Sequence, residues 1–420
     1  MINNKLQSHI LCWSDSASCG TGFGVVSKYI LKALHNTGLY DIHHLAINMH
    51  GDFIDTNEIP WQQQPARLLD PQDPHGMKMF IRSLLKNDYD IVWVCNDLYV
   101  THDITNAVQQ YKERCKALNK KPPIFIYYYP VDCCVNPSAS SFLLEADIPV
   151  CYADFGRSET LKVLPQLNEI LKQIPHGVDT KAYYPLTKFE VGNLKKKWLN
   201  VDPDTTVVIN FNRNSLRKQL QYSMLAFREF RKYVPKSVMY IHTAIKDQGG
   251  DLLNTMRALN MSVKEDIIFP ANYSPATPFS LQDMNELYNC GDIFLTTHLG
   301  EGWGLVVPEA MAAGVPVVAP DNTTTPQILG NDGERGYIYP CKDYAWIDEQ
   351  TFRKKGLIPD IVDMMMTAYK DGPKWTNPVV SKALTWARQN DWNNVTPQWI
   401  ELFKNAVPKQ VTPKKVGELL

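Results

Sequence analysis

The stretch Thr296-Thr297-His298-Leu299-Gly300-Glu301-Gly302-Trp303-Gly304-Leu305-Val306-Val307-Pro308-Glu309-Ala310-Met311-Ala312-Ala313-Gly314 is the most informative segment of this chain. Ile293 to Thr297 is an apolar run of buried-strand length, and glycines at 300, 302 and 304 make a loop after it. Pro308 suits the first turn of a helix, where its fixed φ and missing N–H cost nothing. Gly314 then ends that helix. The order strand, glycine loop, helix is an α/β unit, and it places Glu301 in the loop and Glu309 in the first turn. Both carboxylates stand at the carboxyl edge of a parallel sheet, where open α/β sheets bind ligands. A carboxylate accepts paired hydrogen bonds from vicinal hydroxyls of a sugar or ribose, and a helix N-terminus favours an ionised Glu309. For an isolated pair of acids, a capped helix with exposed carboxylates is the simpler account.

Outward from this stretch the same alternation repeats. Thr206 to Phe211, Ser237 to Ile241, Asp266 to Phe269 and Val315 to Ala319 are further strand candidates, separated by segments of helical period such as Leu220 to Tyr233. Nearer the start, Ile10 to Trp13, Ile42 to Ile47, Ile91 to Cys95, Ile124 to Tyr129 and Val150 to Tyr152 form a second set. Between the sets, Ile174-Pro175-His176-Gly177-Val178-Asp179 carries the punctuation of an interdomain connection. The expected architecture is α/β, with two Rossmann-like doubly wound domains, at 1–173 and 174–395, and a final helix from Thr396 to Ala406 within 396–420 that packs back on the first domain. Its Trp399, Ile400, Leu402 and Phe403 recur at helical spacing, which is a packing face.

The string Gly-Glu-Gly-Trp-Gly-Leu followed by Pro-Glu-Ala-Met-Ala-Ala-Gly resembles the signature of family 4 glycosyltransferases, which have the two-domain GT-B fold. The glycine loop at 20 to 24, the Pro175 to Asp179 hinge and Asp391-Trp392 ahead of the last helix extend the resemblance along the chain. It implies retaining transfer of a sugar from a nucleotide donor to an acceptor hydroxyl, with no metal or other cofactor. Glu309 would hold the donor ribose and Glu301 the sugar, with Gly302, Trp303, Gly304 and Leu305 beside them. Arg213 and Lys218, after the strand Val207 to Phe211, match the family's phosphate-binding pair, and fixed cations there stabilise the charge of a departing diphosphate. Asn322 and Thr323 lie in a polar turn entering a helix, where free N–H groups suit a phosphate; family members often carry paired glycines at this place. Gly22 matches a loop under the donor phosphates. Asp132 stands where the family often has a histidine, which makes it a candidate sugar ligand or acceptor-positioning group, and Asn96 and Asp97 are another polar strand end.

Composition sets the outer limits. At 420 residues, with 44% hydrophobic and 21% charged residues, the chain can build ordered cores for more than one domain. Lys plus Arg number 43 against 44 Asp plus Glu, so net charge does not point to nucleic acid and does not forbid a local basic patch. No apolar run reaches the roughly 18 residues of a membrane span, and Met1 to Ser16 does not read as a secretory signal. The 9 scattered cysteines lack a C-x-x-C pair and suit a reducing cytoplasm. The acceptor is left open among a saccharide, a lipid, a metabolite and a hydroxylated DNA base. Two other readings compete: a binding protein that keeps a nucleotide-sugar pocket without turnover, and a Rossmann-type oxidoreductase or epimerase. The second fits poorly, because Gly20, Gly22 and Gly24 read G-x-G-x-G and no acid clearly ends the second strand.

Overall fold

The computed structural model describes residues 7–50, 54–271, 273, 279–348 and 351–407. The first sheet contains β1 (Ser8–Asp15), β2 (Tyr40–Ile47), β3 (Gln62–Pro65), β4 (Ile91–Cys95), β5 (Ile124–Tyr129), β6 (Ile148–Cys151) and β7 (Lys172–Gln173). Their order is β3-β2-β1-β4-β5-β6-β7, every pair parallel. Helices cover a parallel sheet on both faces, so its central strands are apolar throughout rather than alternating; every residue of β4 and β5 is buried. The turn from β1 into the helix Gly22–Asn36 is set locally. The Thr21 side chain caps the helix by accepting from the Gly24 N–H at 3.1 Å. A Cβ on Gly24 would lie 2.5 Å from the Ser16 carbonyl oxygen, so only glycine fits.

The second sheet begins with β8 (Thr206–Asn210) and β9 (Ser237–Ile241). A short antiparallel ribbon, β10 (Lys246–Asp247) with β11 (Gly250–Asp251), precedes β12 (Ile267–Ile268). The sheet is completed by β13 (Ile293–Leu295), β14 (Val317–Pro320) and β15 (Tyr337–Tyr339) in the order β12-β9-β8-β13-β14-β15, again parallel. An antiparallel hairpin of β16 (Asp343–Asp348) and β17 (Thr351–Lys355) follows.

In each sheet the chain starts in the middle, winds to one edge and then returns to the other side of its first strand. Strand order therefore reverses between β1 and β4 and between β8 and β13, and ligand crevices of doubly wound sheets open at the carboxyl ends of such pairs. The two sets of carboxyl ends face each other. A Cβ on Gly300, after β13, would lie 2.0 Å from the carbonyl oxygen of Asp132, after β5. One on Gly302 would lie 2.5 Å from the Pro130 Cβ. The glycines let two loop backbones from different domains come into contact.

The chain passes between domains twice, and the crossings are bonded to each other. Val178 N–H donates to the Asn390 carbonyl at 3.0 Å, and Trp392 N–H to the Val178 carbonyl at 3.1 Å. The last helix, Trp392–Lys404, starts earlier than Thr396 because Asp391 caps it, accepting from the Asn393 N–H at 2.8 Å. It lies on the first domain. Trp399 meets Trp93 and Tyr128 edge to face at 6.1 and 4.6 Å, and Phe403 meets Tyr40 at 5.9 Å. Residues 408–420, with Lys409, Lys414 and Lys415, lie outside the described residues. Among the described residues no helix is long and apolar enough to cross a membrane.

Candidate active site

Glu301 is the centre of the cleft. Its backbone N–H donates to the Thr323 hydroxyl at 3.0 Å, and Asn322 Nδ2 donates to the His298 carbonyl at 3.1 Å, so the turn after β14 holds the glycine loop in place. Thr323 does this from a left-handed backbone, φ 44°, which is costly for a β-branched side chain. The Glu301 carboxylate is buried and pairs with Lys218 Nζ through one oxygen and with Arg217 at 2.9 Å through the other. Burial alone would raise its pKa, but Lys218 and Arg217 hold the carboxyl well below the usual carboxylate range.

The two cations arrive on a short turn after β8. Leu216–Lys218 forms a single 3-10 turn, and the Arg217 carbonyl accepts from the Leu299 N–H at 2.8 Å, which clamps this turn to the glycine loop. Lys218 also donates to Asn212 Oδ1 at 3.0 Å. Burial pulls the Lys218 ammonium pKa down, against the pull of Glu301.

Asp132 reaches this cluster from the other domain. Its carboxylate lies 3.1 Å from Arg217 Nε and 3.2 Å from Arg353 on β17, and its carbonyl accepts from the same Arg353 nitrogen at 2.9 Å. Asp97, at the end of β4, is raised to about 6 by burial and by the nearby Asp132 charge. Gly22 and Leu305 face each other: a Cβ on Gly22 would stand 3.8 Å from Leu305 Cδ1. Glu309, in the first turn of the helix Val306–Ala312, accepts from the Tyr288 hydroxyl at 2.7 Å, and burial raises it to about 7.

The structure thus brings Glu301, Lys218 and Asp132 together and adds Arg217 and Arg353, which sequence reasoning did not single out. Arg213 is not in this cluster. It makes a two-pronged pair with Asp247, at 2.7 and 3.2 Å, and its side chain is 61% exposed. The Trp303 ring is buried 5.8 Å from His176, and the Gly302 and Gly304 backbones pack on Pro130 and on Glu301. Asn322 is buried as a brace for the loop. His298 and His176 are buried and pushed down to about 3, so both stay neutral near pH 7.

Known proteins resemble this chain in part of its sequence and in its fold. The family described as glycosyl transferases group 1 matches residues 213–350, the span from Arg213 through both glutamates. O-antigen chain mannosyltransferase B of Escherichia coli is 26% identical over 123 residues, covering 29% of this chain and 28% of that protein. Alpha-maltose-1-phosphate synthase of Mycobacterium tuberculosis is 23% identical over 197 residues, 47% of this chain and 49% of that protein. The matches to these curated relatives therefore span half of their length or less. A glycosyltransferase from Rickettsia africae superposes with a TM-score of 0.69 at 13% identity, over 95% of this chain and 100% of that one. Sucrose-phosphate synthase from Thermosynechococcus elongatus does so with 0.68 at 14% identity, over 95% and 98%. The fold is GT-B, two Rossmann-like domains facing each other across a cleft.

Proposed function

We propose that this chain is a glycosyltransferase that moves a sugar from a nucleotide-sugar donor to an acceptor hydroxyl, with retention at the anomeric carbon and without a metal ion. The observation that carries the reading is Glu301, set in a glycine loop between Lys218 and Arg217 and opposed by Asp132 from the facing domain. A nucleoside diphosphate leaves with growing negative charge, and Lys218 and Arg217 are fixed donors that stabilise it in a site with little water. They supply what a metal would otherwise supply. Glu309 accepts from the donor ribose hydroxyls, Glu301 from the sugar hydroxyls, and the Gly22 and Thr323 turns offer backbone N–H groups to the phosphates. The acceptor oxygen bonds to the anomeric carbon on the face from which the diphosphate departs, and its proton passes to a departing phosphate oxygen. No side chain then has to act as a base, and Asp132 orients the sugar or the acceptor. The 9 scattered cysteines, with no C-x-x-C pair, suit reaction in the cytoplasm.

The test is incubation with a panel of UDP-, GDP- and ADP-sugars in EDTA, with simple saccharide acceptors, followed by NMR of the product. A product whose anomeric configuration matches the donor supports the reading. An inverted product removes the retaining step, restoration by manganese removes metal independence, and tight binding with no turnover of any donor makes this a binding protein.

A further inference from the structure

The helix Met77–Lys86 covers one side of the first sheet, on which Phe80, Ser83 and Leu84 are buried. Residues three and four apart share a helix face. Lys78, Ile81, Arg82, Leu85 and Lys86 therefore form one strip away from the sheet, and all five are exposed. At about 100° per residue, the order around the helix is Phe80, Leu84, Ile81, Leu85, Lys78, Arg82, Lys86. The apolar arc thus runs on past the core contact before the cations begin, whereas an ordinary surface helix turns polar where burial ends. Ile81 and Leu85 are 40 and 50% exposed. The helix carries no acid, and the acids at its two ends are already taken. Asp70 accepts from Lys78 at 2.7 Å, Asp73 from the Gly76 and Lys78 N–H groups at 2.8 and 3.0 Å, and Asp88 from Lys120 at 2.9 Å. Arg82 and Lys86 make no ion pair among the described residues. The Asp70 contact also ties the turn Ala66–Leu69, with exposed Leu68 and Leu69, to the start of the helix.

From this we infer that the outer strip of Met77–Lys86 docks on a bilayer surface rich in anionic lipid headgroups; the inference goes beyond the transferase reading and does not rest on it. The helix lies flat, with Ile81 and Leu85 in the acyl boundary and Arg82 and Lys86 at the headgroup phosphates. An apolar arc bordered by unpaired cations is the pattern of interfacial helices, and each cation near an anionic surface adds to the attraction of the buried apolar area. With a net charge of −1 the whole chain supplies no such attraction, so it has to come from a local strip. Charge also selects the occupant. A nucleic acid would pair its phosphates with Arg82 and Lys86, but its bases stack on aromatic rings, and this strip presents Ile and Leu. A second copy packed about a two-fold axis would set the same cations against each other.

The test is cosedimentation of the full chain with vesicles of phosphatidylcholine alone and of phosphatidylcholine with one quarter phosphatidylglycerol. Duplex DNA and oligo-dT are titrated in parallel, and light scattering gives the mass in solution. The proteins are wild type, Arg82→Gln/Lys86→Gln, Ile81→Gln/Leu85→Gln and the charge-preserving Arg82→Lys/Lys86→Arg. Wild type is expected to bind the anionic vesicles on the order of tenfold tighter than the neutral ones, and each glutamine pair to lose about that factor. The charge-preserving pair should bind as wild type does, with melting temperatures alike in all four. Should one glutamine pair fail to fold, the other decides. The inference is overturned if the anionic vesicles are not bound, if neutral vesicles bind equally well, or if a folded glutamine pair binds as wild type does. Loss of binding in the charge-preserving pair, a preference for DNA or oligo-dT, or a dimer that the glutamine pairs dissolve would overturn it as well. Vesicle binding without turnover of any nucleotide sugar would keep this face and remove the transferase reading.

Discussion

Arg217 of the second domain and Asp132 of the first meet across the cleft, Nε to Oδ2, at 3.1 Å. The other edge of the same guanidinium holds Glu301 at 2.9 Å, so one side chain links the facing domain to the carboxylate at the centre of the site. Asp132→Ala removes this link and the Arg353 pair together. Turnover is expected to fall by about two orders of magnitude, as for the loss of a positioning group, while affinity for the nucleoside diphosphate changes little, because Lys218 and Glu309, on which its binding would chiefly rest, lie across the cleft. Initial rates with the donor and calorimetry with the diphosphate separate the two. Equal losses would place Asp132 in nucleotide binding or in the fold.

Arg217 and Arg213 should differ in their effects. Arg217→Ala leaves a buried carboxylate short of one cation, at a cost in the range of about 3–5 kcal/mol known for broken buried pairs, and removes a donor to the leaving group. Arg213→Ala breaks a solvent-exposed pair with Asp247, which is worth about 1 kcal/mol or less. Thermal melts and initial rates of both variants check this. Rates that fall more in Arg213→Ala would return the phosphate role to that residue.

This contrast also marks where reading the sequence ran short. The strand–glycine loop–helix unit around Glu301 and Glu309 was legible because apolar runs, Gly314 and Pro308 each act locally. Asn212-Arg213-Asn214-Ser215-Leu216-Arg217-Lys218 offers two arginines, and spacing from β8 does not choose between them. The choice is made by the turn at Leu216–Lys218 and its hydrogen bond to Leu299, a partner 82 positions away in the chain, from 217 to 299. The surroundings of Trp303 are a second case: the resemblance puts it beside the donor, and its burial against His176 depends on the hinge, which its own loop does not show. The β16 and β17 hairpin had a usable signal in the period-two spacing of Tyr344 and Trp346, but its exposed aromatics invert the expected polarity.

Glu309 gives a prediction in pH. Burial raises its carboxyl to about 7, so it binds a proton in the folded chain at a pH where the unfolded chain has released it. Stability without ligand therefore falls as pH rises from the ordinary carboxylate range toward 7. Only the ionised form accepts from both ribose hydroxyls, so nucleoside diphosphate affinity should rise through the same pH. Glu309→Gln should flatten both trends and weaken binding. Melting temperatures and calorimetry across pH 5 to 8, about the range in which this group titrates, are the check, and identical pH profiles in the two proteins would remove Glu309 from the ribose site.

Gly300→Ala tests the contact between the loops. Its Cβ would meet the Asp132 carbonyl oxygen at 2.0 Å and the Thr323 methyl at 3.2 Å. Neither backbone can yield without separating the domains, and such overpacking costs about 1–3 kcal/mol. Small-angle scattering should show a larger radius of gyration and assays a lower rate, with nucleoside diphosphate binding retained. An unchanged radius and rate would mean that the loops do not touch in solution.

The central claim is that fixed cations at Glu301 let this chain break a nucleotide-sugar bond without metal. The direct measurement is nucleoside diphosphate release from the preferred nucleotide sugar in EDTA, by wild type and by Lys218→Ala. The account predicts release by wild type in the chelator and a loss of about 10²-fold or more in the variant, the size seen when a charge-stabilising donor is removed. Release that stops in EDTA and returns with manganese or magnesium, or a variant within a few-fold of wild type, would contradict it.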